Sequence, residues 1–131
     1  MIAKKTHSIV RVANPADRSK NVSVDCLVDG GAFYTMIPRS LLEKVGAKIT
    51  GTRRFKLADG RMEEFPIGEA YVEVDGIGAT SLVVFVSENS QPLLGVTTLE
   101  LLGLQVNPIS GELKPLDLYL LQIDGAIKFA V

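Results

Sequence analysis

Asp29 is the residue whose setting could support chemistry. It closes an alternating run in which Val22, Val24, Cys26 and Val28 are interleaved with Ser23, Asp25, Leu27 and Asp29, and it is followed by Gly30, Gly31 and Ala32. The period of two predicts a strand with small apolar groups on one face. Glycine opens backbone angles closed to other residues and brings no side chain to block approach. A carboxylate in that position can stand on a bare, tightly turned loop at the mouth of a core strand, and the chemistry open to it is acid–base chemistry. An Asp-Gly-Gly run also makes an ordinary turn.

Other chemistries are narrowed by scarcity. A Ser-His-Asp site could use only His7, and no nucleophile loop lies near it. Cys26 falls on the apolar face of its strand and is expected to be a buried, inert thiol. One His and one Cys do not make a zinc site of the usual type, the acids lack calcium-loop spacing, and no P-loop or dinucleotide fingerprint occurs. No metal and no cofactor are therefore expected. The net charge of -1, with only the short pairs Lys4-Lys5 and Arg53-Arg54, points away from nucleic acid. At 131 residues, 47% apolar and 22% charged, the chain reads as one globular, soluble domain over residues 1–131, with a core at about 6–121 and a tail at 122–131. The opening MIAKKTHSIV has no apolar signal region, and no run approaches the about 20 residues that span a bilayer. No membrane segment and a cytoplasmic address are expected, and a lone Cys fits a reducing compartment.

The elements that must position Asp29 follow in order. Residues 6–12 read as a strand, Asn14-Pro15-Ala16-Asp17 as a turn, and residues 22–28 as the second arm of a hairpin. Residues 33–37 are β-prone, and Pro38 opens a helix over 39–45 that Gly46 stops. Residues 53–57 alternate as a strand, with Ala58-Asp59-Gly60-Arg61 as a hairpin turn. Residues 69–74 form the next strand, Asp75-Gly76 a turn, and residues 81–86 a strand buried on both faces. Pro92-Leu93-Leu94-Gly95 is a second apolar segment closed by glycine. Thr97 and Glu100 make a capping-box pattern before a helix that Gly103 stops. A short strand at 104–108, a turn at Ser110-Gly111 and a last strand alternating from Leu116 to Leu121 complete the chain. Two parts rhyme: Val28-Asp29-Gly30-Gly31 and Leu93-Leu94-Gly95 each lead to a short helix ended by glycine. That pattern suggests a β barrel or sandwich of two similar halves.

Leu27-Val28-Asp29-Gly30-Gly31-Ala32, with Ile37-Pro38 a few residues on, resembles the active-site stretch of the retropepsin-like aspartic proteases. Pro92-Leu93-Leu94-Gly95 with its helix is similar to the family's second glycine segment. Leu57, Ala58, Asp59, Gly60, Arg61 and Met62 fall where single-lobe bacterial and archaeal members carry the flap. The resemblance implies a mainly β fold, a closed antiparallel β barrel of the acid-protease type with one or two short helices. It implies an aspartic endopeptidase that works as a symmetric homodimer, each chain giving Asp29 to a shared dyad, with an extended polypeptide as substrate. The flap would close over that peptide and Ala32 would line a pocket. Leu94 and Gly95 would support the site, and the terminal tail could knit the dimer.

The chain departs from the family pattern at one position. Gly30 stands where the family carries Thr or Ser, whose hydroxyl ties the two active loops together across the dimer axis. The loss of such a bond costs on the order of 1 kcal/mol. The resemblance then implies an intact fold with a looser dimer and weakened cleavage. The alternative is a non-catalytic dimerisation or peptide-binding module that keeps the groove.

Overall fold

The computed structural model describes residues 6–117. Among these residues nine strands and two short helices follow in the order β1 (Thr6–Ala13), β2 (Asn21–Val28), β3 (Thr35–Pro38), α1 (Arg39–Lys44), β4 (Ile49–Lys56), β5 (Met62–Val74), β6 (Ile77–Val86), β7 (Leu93–Leu94), α2 (Val96–Leu102), β8 (Leu104–Val106) and β9 (Leu113–Pro115). The fold is mainly β. Seven strands make one sheet in the order β1-β2-β7-β3-β6-β5-β4, and β1 also pairs with β5 through Val12↔Val72, so the pairings run in a circuit.

The hairpins follow local chemistry. β1 and β2 pair antiparallel from Thr6↔Val28 to Ala13↔Asn21. Asp75 and Gly76, at φ 52° and 81°, join β5 to β6 in the left-handed conformation that tight hairpin turns demand. Inward positions alternate along these strands: Val10, Val12, Val24, Cys26, Val28, Val72 and Val74 are buried in one cluster, closed by Leu42 of α1 and by Leu99 and Leu102 of α2. Each such valine contributes on the order of 1.5 kcal/mol or more by leaving water.

Several expectations are corrected. The sheet is not wholly antiparallel: β2 runs parallel to β7 and β3 parallel to β6, while β7 and β3 run antiparallel between them. Each half thus sends its short strand to lie beside the long strand of the other half. The order β2-β7-β3-β6 is unchanged when the halves are exchanged, and this is how the rhyme in the sequence is realised. β5 runs unbroken through Pro66, which pairs with Thr52 of β4 but lies beyond the end of the β6 ladder, so its missing N–H costs no bond on that side. No capping box forms at Thr97. Gly95 is the N-cap of α2, and Thr97 lies within the helix. Leu116 and Asp117 lie outside any strand, and the last strand among the described residues is the earlier β9. The rest of the expected last strand and the tail at 122–131 fall outside the described residues.

Cys26 is fully buried, and burial first, then the Asp25 charge, pushes its thiol from 9.0 up to about 12. The folded protein therefore keeps a proton that the unfolded chain releases near 9. This group's contribution is complete below that pH and is lost as pH rises toward 12. We expect native protein at pH 8 to leave iodoacetamide unreacted over hours, while protein in 8 M urea is alkylated within minutes. Equal labelling rates, read by intact mass, would place the thiol at the surface.

Candidate active site

Asp29 leaves the end of β2 and is exposed. Its Oδ1 accepts the Gly31 N–H at 2.8 Å, and its carbonyl accepts the Ala32 N–H at 3.1 Å, so the loop holds its own carboxylate. The glycines act here through space and not through unusual backbone angles, since neither Gly30 nor Gly31 has a positive φ. A Cβ on residue 31 would lie 3.3 Å from Asp29 Oδ1, tight against the carboxylate. A Cβ on residue 30 would meet only Val106 Cβ of β8, at an ordinary 3.9 Å.

The loop rests on the start of α2. The Ala32 carbonyl accepts the Val96 N–H at 2.8 Å, and the Phe33 carbonyl accepts both the Thr97 N–H at 2.9 Å and its hydroxyl at 2.8 Å. Helix N–H groups that lack intrahelical partners are thereby spent on the backbone that follows Asp29. Gly95 makes this approach possible. A Cβ there would lie 2.7 Å from the Tyr34 oxygen and 2.8 Å from the Phe33 oxygen.

A buried hydroxyl chain fixes the same junction. The Gly95 N–H donates to Thr35 Oγ1 at 2.9 Å, Thr35 and Thr98 share a bond at 2.5 Å, Thr98 and Ser81 share one at 2.8 Å, and the Ser81 hydroxyl donates to the Leu82 carbonyl at 3.1 Å. An amide begins the chain and a carbonyl ends it, and each hydroxyl has one proton. The direction is therefore set: Thr35 donates to Thr98, and Thr98 donates to Ser81. Among the described residues no buried side-chain polar atom is left without a partner. Nothing in the sequence singled out Thr35, Ser81 or Thr98, because isolated hydroxyls far apart in the chain carry no periodic signal.

Leu93 and Leu94 pair with Leu27 and Val28, directly beneath the Asp29 loop. Leu57, Ala58, Asp59, Gly60 and Arg61 form the tip joining β4 to β5, and Met62 begins β5. The tip is closed by Leu57 N–H to the Arg61 carbonyl at 2.7 Å and by Gly60, at φ 88°, to the Leu57 carbonyl at 2.9 Å. Asp59 accepts the Arg61 N–H at 3.0 Å and its Nε–H at 2.6 Å. The backbone bond first, then the side-chain bond, hold its carboxyl below the usual range. Arg61 is thus committed to its own turn.

Between this hairpin and the Asp29 loop lies a cavity of about 610 Å³, with Gly31, Ala32, Tyr34, Met36, Phe55 and Leu57 in its walls. Tyr34, Phe55 and Phe65 meet edge to face, with centroids 5.3 Å and 6.0 Å apart. The aromatic cluster was not visible in the sequence, where the three residues sit in separate segments. Among the described residues no three His, Cys, Asp or Glu side chains gather as metal ligands, and no helix is long and apolar enough to cross a membrane.

The arrangement of an acid loop beside a β hairpin on this sheet defines a retropepsin-like fold. The structure is similar to that of the EIAV protease complexed with the inhibitor HBY-793, with a TM-score of 0.50 at 19% identity over 76% of this chain and 89% of that one. Residues 18–101, more than half of the chain, match the family described as "gag-polyprotein putative aspartyl protease". The chain belongs to this retropepsin-like aspartic protease family. No curated protein sequence matches it.

Proposed function

We propose that the protein is an aspartic endopeptidase that acts as a symmetric homodimer, with one Asp29 from each chain. The observation that carries this reading is the exposed Asp29 carboxylate, held by Gly31 and backed by α2, beside an apolar cavity walled on one side by β4 and Leu57 of the hairpin. One chain offers one such acid, and a two-fold axis supplies the second because both subunits present the same patch. Two carboxylates at hydrogen-bond distance share one proton. The ionised one takes a proton from a water between them, and the protonated one donates to the scissile carbonyl oxygen. The water oxygen bonds to the carbonyl carbon. The resulting diol breaks its C–N bond as the amine takes a proton from the dyad. The strand circuit is read as a closed barrel. The extended substrate binds as an added strand under the hairpin.

Gly30 favours a second reading, a peptide-binding module without turnover, because it offers no hydroxyl to the opposite loop. The space around it decides how this can be tested: residue 30 has room for a Cβ and no positive φ, so threonine fits. Denatured casein would be incubated at pH 3 to 7 with the parent and with Gly30→Thr protein, with and without a pepstatin-type inhibitor. We expect inhibitor-sensitive cleavage by both, faster by about tenfold in Gly30→Thr, with a tighter dimer in sedimentation. Cleavage by Gly30→Thr alone would show a site disabled at one position. Silence from both would favour the binding module.

A further inference from the structure

We propose that Thr98 is a positioning residue for Asp29, acting through α2, and that Thr35 and Ser81 act with it as one unit. The inference deepens the peptidase reading and rests on it for the effect on rate, while the placement of the loop stands apart from any chemistry. Thr35 opens β3, Thr98 lies in α2 and Ser81 lies in β6, so the hydroxyl chain ties together elements that are far apart in sequence. Thr35 and Thr98 are 0% exposed and Ser81 is 3% exposed. None of them lines the cavity or bonds to the Asp29 carboxylate, so none is placed to touch a substrate.

The placement role follows from what α2 lacks. The helix has 7 residues and no side-chain cap, too short to hold itself without its neighbours. Leu99 and Leu102 bury one side of it, but apolar contact is non-directional and leaves a short helix room to roll. Hydrogen bonds are directional. Thr98 accepts from Thr35 at 2.5 Å and donates to Ser81 at 2.8 Å, which fixes both the roll and the height of the helix. Val96 and Thr97, just before Thr98, carry that placement to the site, because their N–H groups hold the Ala32 and Phe33 carbonyls. The Ala32 N–H in turn bonds to the Asp29 carbonyl. A misplacement of about 1 Å in a reacting group costs on the order of a hundredfold in rate. Stability alone does not call for such a chain, since replacing bonded hydroxyls by apolar groups of the same shape can be nearly neutral.

Thr98→Val keeps the shape of the side chain and removes both bonds, whereas Thr98→Ser keeps the hydroxyl. Each would be compared with the parent by a thermal melt, by NMR relaxation dispersion of the backbone amides, and by cleavage of a fluorogenic casein peptide, with active sites counted by titration with a pepstatin-type inhibitor. In Thr98→Val we expect kcat per titrated site to fall by about thirtyfold, with KM changed by less than about twofold. Dispersion should appear at Gly30, Gly31, Ala32 and Phe33 and not at the paired Val10 and Val24 of the β1–β2 hairpin. Thr98→Ser should return the rate to within about threefold of the parent and quiet the loop amides. Ser81→Ala removes only the far end of the chain, should show the same pattern at about threefold, and carries the test if Thr98→Val does not fold. A lower melting temperature in Thr98→Val with kcat and the loop amides unchanged would make the chain merely structural and overturn the proposal. A Thr98→Ser protein as slow as Thr98→Val would overturn it too. Loop motion that appears in Thr98→Val and vanishes in Thr98→Ser, in a protein that cleaves nothing, would keep the placement role and overturn the peptidase reading. No cleavage by the parent and no loop motion in the variants would overturn both.

Discussion

Asp29→Asn protein is expected to lose casein cleavage by about a thousandfold or more while keeping its fold. Asparagine has nearly the same shape, and its Oδ1 can still accept the Gly31 N–H that Asp29 accepts at 2.8 Å. It cannot hold or release the shared proton, so the water is not activated and the carbonyl is not polarised. The loop should stay in place because its supports from Val96 and Thr97 go to the backbone of Ala32 and Phe33 and not to the acid. Initial cleavage rates beside a thermal melt would measure both effects. An undiminished rate in the variant would mean that the hydrolysis arises elsewhere, and a melting temperature lowered by more than a few degrees would mean that the carboxylate is structural.

Gly95→Ala should have the largest effect on stability, about 3–5 kcal/mol, a large part of what holds a domain of this size. The added methyl would meet the Tyr34 oxygen at 2.7 Å and the Phe33 oxygen at 2.8 Å, both backbone atoms, the second held by the Thr97 N–H and hydroxyl of α2. Relief requires α2 to move away from the Asp29 loop. That would break the Gly95 bond to Thr35 and leave a buried hydroxyl chain short of its first donor. The expected result is a fall in melting temperature of more than about 10 °C, together with loss of activity. A stable Gly95→Ala protein would show that the junction of loop and helix is not close-packed.

Much of this was legible in the residues. The alternation of Val22, Val24, Cys26 and Val28 with polar neighbours marked β2, and Gly46 and Gly103, both with positive φ, marked the ends of the helices. Asp75-Gly76 marked a hairpin for the same local reason. Other features were beyond that kind of reading. Alternation reports which face a residue takes but not which strand lies beside it, so the parallel pairings of β3 with β6 and of β7 with β2 could not be inferred. The role of Gly95 was assigned to support of the site, but its cause is the approach of Tyr34, which no local pattern records. Thr97 with Glu100 has the spacing of a cap, yet Gly95 begins the helix because the Thr97 hydroxyl is drawn to the Phe33 carbonyl. The first half of β4, Ile49 to Thr52, has no alternation because most of it is exposed on its way to the hairpin.

The exchange of short strands between the halves has a consequence for how the protein is made. Leu27 must wait for Leu93, and Thr35 for Val83, before either ladder can close. Neither half can complete its sheet from its own residues, so the cost of closing long loops falls before the contacts that repay it. Such a chain folds on the millisecond-to-second side of the range for small domains. The Asp29 loop, lying on a helix that follows the last of these strands, takes shape only after α2 has been made, some seventy residues beyond the acid itself. A nascent chain therefore carries the acid long before it carries the site.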